Sequence, residues 1–137
     1  MKLPRRWFLH LAAGAAALPA TSRLAWAQAY PTRPVRMVVN LAPGGGLDFM
    51  ARLVGEYMSR SMGQQVVIEN KPGAGGMLGA ETVAKSQPDG YTILATTDVV
   101  TSAPHIMNFN VDYVRDLVPV MDLHRSRLFW LLTRRSK

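Results

Sequence analysis

Two glycine-rich loops carry most of the chemistry this sequence offers. Pro43-Gly44-Gly45-Gly46 stops one apolar run, and Lys71-Pro72-Gly73-Ala74-Gly75-Gly76 stops another. Glycine at a strand-to-helix turn lets the backbone come close to a ligand. The N–H groups that open the following helix then face an anion. Two such loops side by side make a carboxylate or phosphate site. Asp48 lies one residue into the first predicted helix and can accept a hydrogen bond from a ligand hydroxyl or amine. Asp48 serves equally well as a helix-start charge, and either loop taken singly serves equally as a tight turn.

The second loop has another reading. Gly73, Gly75 and Gly79 form G-x-G-x-x-x-G between a strand and a helix, and Asp98 ends the next strand. A ribose-binding acid occupies that place in a dinucleotide fold. The alternative function is therefore a Rossmann-like dinucleotide-binding domain of an exported oxidoreductase. Against it, the spacing is not G-x-G-x-x-G, and Pro72 stiffens the turn.

Catalytic constellations are missing from the pattern. The chain has no Cys, which removes thiolate nucleophiles, thiolate metal sites and disulfides. His105 and His124 have no partner pattern for a triad, and two isolated His do not make a metal site. Ser59, Ser61, Ser86 and Ser102 lie in no nucleophile-elbow context. No enzyme, metal or cofactor is expected.

The elements that must position the loops follow from periodicity. Residues 34–41 and 65–70 are apolar, β-rich runs. From Leu47 the period becomes helical, with Leu47, Met50, Leu53, Val54, Tyr57 and Met58 on the expected inner face. Gly63 is a good helix stop. Residues 77–86 read as a second helix, with Met77, Ala80, Val83 and Ala84 inward and Glu81 and Lys85 paired outside. Gln87-Pro88-Asp89-Gly90 is a turn, residues 91–97 a third strand, and Pro104 starts a short helix to about Met107. Residues 116–120 look like the entry to a fourth strand. The order βαβαβ(α)β predicts an α/β fold with a mostly parallel sheet. Ligands bind such sheets beyond the carboxyl ends of the strands. Both glycine loops and Thr96-Thr97-Asp98 fall at those ends.

The chain has 137 residues, room for one small domain. Its net charge of +7 belongs to the two ends. Residues 28–123 hold seven Lys/Arg against nine Asp/Glu, so a nucleic-acid reading from overall charge fails. At the N-terminus, Lys2, Arg5 and Arg6 precede an apolar run too short to span a bilayer. Ala25-Trp26-Ala27 follows, with small residues at the −3 and −1 positions of a cleavage site. Residues 1–27 are therefore expected to be an export signal. Arg5-Arg6-Trp7-Phe8-Leu9 resembles a twin-arginine signal, with Pro4 where Ser or Thr is usual, which leaves Sec and twin-arginine export both open.

A family resemblance rests on an ordered series of motifs. Tyr30-Pro31-Thr32-Arg33-Pro34-Val35-Arg36 leads into Ala42-Pro43-Gly44-Gly45-Gly46-Leu47-Asp48. Ala51-Arg52-Leu53, Glu69-Asn70-Lys71-Pro72-Gly73-Ala74-Gly75-Gly76, Gly79-Ala80 and Pro88-Asp89-Gly90-Tyr91-Thr92 follow. Over residues 30–120 the chain closely resembles the extracytoplasmic solute receptors of tripartite tricarboxylate transporters, the Bug family. The resemblance implies a type II periplasmic-binding-protein fold, in which two lobes close over a small carboxylate. It implies a periplasmic, monomeric receptor that hands ligand to membrane permease subunits, without catalysis, cofactor or nucleic acid. It carries Ala42, Pro43, Gly44, Gly45 and Asp48 from the first loop into the ligand site. Gly73, Ala74, Gly75 and Gly76 come from the second, with Thr96 and Thr97 as weaker candidates. Leu47 stands where the family usually has a small polar residue.

Family members run to about twice this length, so residues 28–123 are expected to be a partial first lobe with the second lobe missing. Such a piece is expected to be marginal, aggregation-prone and weak in ligand binding. Residues 124–137 read as an atypical basic tail that does not continue the expected strand. A frameshifted or truncated gene accounts for it, and so does a basic, aromatic segment for membrane or nucleic acid.

Overall fold

The computed structural model describes residues 29–100, 102, 112–122 and 129–136. The export segment at residues 1–27 and the short helix expected from Pro104 lie outside them. Among the described residues, β1 (Val35–Val39) leads to α1 (Gly46–Met62), and β2 (Val66–Asn70) follows. A 3₁₀ turn (Ala74–Gly76) opens α2 (Met77–Ala84), which leads to β3 (Thr92–Thr97). A one-turn helix α3 (Tyr113–Asp116) then precedes β4 (Leu117–Asp122) and β5 (Phe129–Arg134).

The five strands form one sheet in the order β2-β1-β3-β5-β4. β1 pairs in parallel with both β2 and β3. The crossover to β2 steps one way along the sheet and the crossover to β3 steps back. Right-handed connections in opposite directions put α1 and α2 on opposite faces. Val35, Met37, Val39, Ile93, Ala95 and Leu131 face Leu47 and Ala51 of α1. Val38, Leu94, Leu117 and Leu132 face Met77, Ala80 and Val83 of α2. Both faces of the central strands are covered, which is why their sequences read as unbroken apolar runs.

The segment read as an atypical tail enters the middle of this sheet. β5 lies antiparallel between β3 and β4, with Leu94 opposite Leu132 and Ala95 opposite Leu131. Leu131 and Leu132 point to opposite faces, and both are buried. The sheet is therefore mixed. β1 to β4 share one direction, as a mostly parallel sheet requires, and β5 alone opposes them.

The inner face of α1 also differs from expectation. Leu47 and Ala51 are buried, with Val54, Met58 and Met62 packed beside them. Leu53 and Tyr57 are instead 54% and 76% exposed. The seam is turned because the helix touches the sheet through small residues. A Cβ on Gly55 would stand 2.9 Å from Ile68 Cδ1, and the end of that side chain would have to turn aside. The stop at Gly63 is as expected: its φ is 67°, and its N–H donates to the Ser59 carbonyl. The inward set of α2 holds as predicted, and Lys85 pairs with Glu81.

Two of the sequence motifs touch each other. The Tyr30 hydroxyl donates to the Gly90 carbonyl at 2.6 Å, and the Thr32 N–H donates to the Tyr91 hydroxyl at 2.9 Å. Arg33 pairs with Asp89 at 2.7 Å, and its guanidinium lies 4.3 Å from the Tyr91 ring centre. This latch fixes the strand preceding β1 to the turn preceding β3. Tyr30→Phe is expected to lower stability by about 0.5–1 kcal/mol by removing one hydrogen bond. Urea melts at fixed m-value would read the shift, and an unchanged midpoint would show that the latch carries no stability.

Candidate functional site

The site is built where three parallel strands end together. Val39 of β1 is in register with Asn70 of β2 on one side and Ala95 of β3 on the other. The first glycine loop leaves β1, the second leaves β2, and Thr96-Thr97 close β3. Predicted site residues from all three segments thus share one edge of the sheet.

Asp48 ties the first loop in place. Its Oδ2 accepts the Gly44 N–H at 2.9 Å and the Arg52 Nε–H at 3.0 Å. Its Oδ1 accepts the Asn70 amide at 3.0 Å. The same Asn70 amide donates to the Leu41 carbonyl at 3.2 Å, and Arg52 reaches Asn70 Oδ1 at 3.3 Å. Asn70, at the end of β2, thereby stitches the two loops together. Asp48 is buried, and both its oxygens are engaged within the chain. Asp48, expected from sequence as a ligand acceptor, makes these three hydrogen bonds within the chain. A carboxylate on the first turn satisfies orphan N–H groups locally before it can look outward.

The clamp sets the acidity of Asp48. The Arg52 hydrogen bond, then the Gly44 N–H and the Asn70 amide, hold its carboxyl at about 2. An unfolded Asp titrates near about 4. The folded value is the lower one, so Asp48 contributes stability above about pH 4 and loses it as pH falls through about 2. Asp48→Asn should therefore melt below the wild type at pH 7, and the gap should narrow as the pH falls through that window. Thermal melts of both proteins between pH 7 and pH 2 measure it, and a gap independent of pH would contradict the clamp.

The second loop is held by its backbone. Gly73, Ala74, Gly75 and Gly76 all have positive φ, at 134°, 48°, 64° and 91°. Ala74 is the residue with a side chain in that run, and the left-handed region costs such a residue about 1–2 kcal/mol. The loop closes through the Gly76 N–H to the Gly73 carbonyl at 2.9 Å. Residues 73–75 are exposed and Gly76 is buried. Beneath the loop lies Asn40, which is fully buried. A Cβ on Gly76 would stand 2.7 Å from Asn40 Nδ2, and one on Gly79 would stand 2.9 Å from Asn40 Cα. Gly79 is thus spent on close packing of α2 against β1.

At the end of β3, Thr96 is buried and its hydroxyl accepts from Asn40 Nδ2 at 2.8 Å. It also donates to the Thr97 carbonyl at 3.2 Å. Thr96, a weaker candidate from sequence, is held by these bonds beside Asn40. Asn40 Oδ1 and Thr97 Oγ1 are buried without a protein hydrogen-bond partner. Ala42, Pro43, Gly44 and Gly45 stand exposed on the rim. Asn40 and Asn70 are the residues that sequence reasoning passed over. Their only signal was a polar side chain at the end of an otherwise apolar strand. One cavity lies against α1 and another at the opposite ends of the strands.

Residues 50–136 match the model of the tripartite tricarboxylate transporter family receptors. The chain belongs to this family. The receptor match runs through β5, so the strand in the middle of the sheet lies within the family region. The family is one of solute-binding receptors and not of enzymes. Protein BugT of Bordetella pertussis is 41% identical over 100 residues, covering 69% of this chain and 30% of its own. Among solved structures, MatC from Rhodopseudomonas palustris with bound malate is 35% identical with a TM-score of 0.64. That match covers 69% of this chain and 33% of MatC. An R. palustris protein with adipate is 35% identical with a TM-score of 0.61, covering 67% of this chain and 31% of its own. The chain spans about a third of the length of these relatives.

Proposed function

We propose that this chain forms the front wall of a periplasmic receptor site for a small carboxylate. The observation that carries the reading is the pair of glycine loops, fixed side by side at adjacent strand ends by Asp48 and Asn70. Main-chain N–H groups of Gly45, Gly46, Gly73, Ala74 and Gly75 hold the ligand carboxylate, and the first turn of α1 adds its partial positive charge; the Gly44 and Gly76 N–H groups are spent inside their own loops. Ala42 and Pro43 shape the rim. Thr97 offers a hydroxyl at the third strand end. Asp48 and Thr96 act beneath the surface by positioning the loops.

The bound malate and adipate of the two solved relatives support the carboxylate class. Export by a cleaved segment at residues 1–27, a monomeric state and delivery to permease subunits of a tripartite tricarboxylate transporter complete the proposal. Among the described residues no helix is long and apolar enough to cross a membrane. One wall taken by itself leaves half the ligand in water, so residues 29–136 alone bind weakly. Calorimetric titration with malate, adipate, citrate and NAD(P) tests the assignment. Saturable binding of a carboxylate supports it. Binding of NAD(P) with no response to any carboxylate would replace it with the dinucleotide reading.

A further inference from the structure

A second cationic site lies at the far edge of the sheet. A cavity of about 340 Å³ is lined by Ala84, Arg115, Asp116, Arg134, Arg135 and Ser136. β5 runs against its neighbours, so its last residues lie beside the start of β3, where Thr133 pairs with Ile93. The glycine loops leave the opposite ends of the same strands. A six-residue strand rises about 3.3 Å per residue, so roughly 15–20 Å separate the two places.

The three arginines come from two chain segments and are tethered independently. Arg134 donates from its guanidinium to the Ser86 carbonyl just after α2. The Arg135 N–H donates to the Asp116 carbonyl at 2.9 Å, which fixes the chain beyond β5 against α3. Arg115 pairs with the Asp116 carboxylate at 3.1 Å. That pairing, followed by the weaker field of Arg134, keeps the Asp116 carboxyl below its usual range. Two carboxylates, Asp116 and the neighbouring Asp112, therefore stand against three arginines, and one positive charge stays unbalanced around the hollow. Ser136 adds a hydroxyl at the rim. Guanidinium forks match the oxygen pairs of carboxylate and phosphate and bind them through two parallel bonds.

We propose that this cavity binds a small oxyanion of the carboxylate or phosphate type, independently of the glycine loops. Its volume suits a ligand of a few heavy atoms. Its partly exposed rim makes the binding weak and salt-sensitive. The basic residues after β5 thus converge on an anion, in place of the membrane or nucleic-acid role that their sequence also allows.

Inorganic phosphate and succinate, titrated separately into the full chain at constant ionic strength, provide the test. Nuclear magnetic resonance of the arginine Nε–H groups and of the Ser136 amide is the readout. The expected result is saturable shifts at Arg115, Arg134 and Arg135, with binding about tenfold weaker in Arg135→Gln, as loss of one charged contact implies. Arg115→Gln is the second variant, because Arg135 and its main-chain bond stay intact there. Phosphate should leave the Gly44 and Gly75 amides unmoved if it is the ligand, whereas a dicarboxylate would shift both places with separate affinities. Linear shifts without saturation for both probes, or equal affinity in the wild type and both variants, would overturn the proposal.

Discussion

Gly45→Asp should weaken carboxylate binding about thirtyfold and leave the fold intact. Gly45 has φ −84° and ψ 172°, which any residue adopts, and it is the N-cap of α1. A Cβ there would meet nothing closer than the Ala42 carbonyl at 3.8 Å. Aspartate is moreover among the best N-caps, so the melting temperature should hold or rise. The ligand carboxylate, however, would meet a like charge where the main chain now offers N–H groups. Two like charges about 4 Å apart near a protein surface repel by about 4 kcal/mol. Half of that weakens binding about thirtyfold. Gly45→Asn is the matched control, with the same capping and no charge. Calorimetry on both variants, beside thermal melts, separates charge from shape. Equal binding by the aspartate and asparagine variants would place the ligand away from this loop.

Leu131→Ala should destabilise the protein by about 2–4 kcal/mol, as deletion of a buried leucine does. Leu131 is 2% exposed and pairs with Ala95 of β3 and Met121 of β4. It joins β3 to β4 across the one strand that runs against the rest. A domain of this size has only about 5–15 kcal/mol of stability in total, so the loss is large. Denaturant melts read it directly. A change below about 0.5 kcal/mol would mean that β5 does not hold the sheet together.

Much of this was legible in the sequence, and what was not has physical reasons. The glycine loops and the strands that end in them stand out because strand and helix periods change abruptly at Pro43 and Pro72. The inner face of α1 was misplaced because counting apolar residues favours Leu53 and Tyr57, whereas the contact is made by Ala51 and Gly55. Small residues that permit close approach carry no hydrophobic signal. β5 was missed because Phe129-Trp130-Leu131-Leu132 has neither a two-residue nor a helical alternation. A strand buried on both faces shows none. Its flanking arginines, read as a tail composition, are the charges at its ends.

The site itself divides along the same line. Positions proposed to act through the main chain, such as Gly45, Gly73 and Gly75, announce themselves by residue type. Positions that work through side-chain hydrogen bonds do not. Asp48 was visible as a helix-start carboxylate, but its closure by Gly44, Arg52 and Asn70 depends on where β2 ends relative to α1. Asn70 gains its role from the pairing of β1 with β2, and Asn40 gains its bond to Thr96 from the pairing of β1 with β3.

The central claim is that two glycine loops at adjacent strand ends receive a carboxylate through their main chain. Amide chemical shifts of the ¹⁵N-labelled chain during titration with malate test it most directly. The account predicts saturable shifts at Gly44, Gly45, Gly46, Gly73, Ala74, Gly75 and Gly76, with binding weakened about thirtyfold in Gly45→Asp and kept in Gly45→Asn. Saturable shifts confined to other parts of the sheet, with these seven amides unmoved, would contradict it.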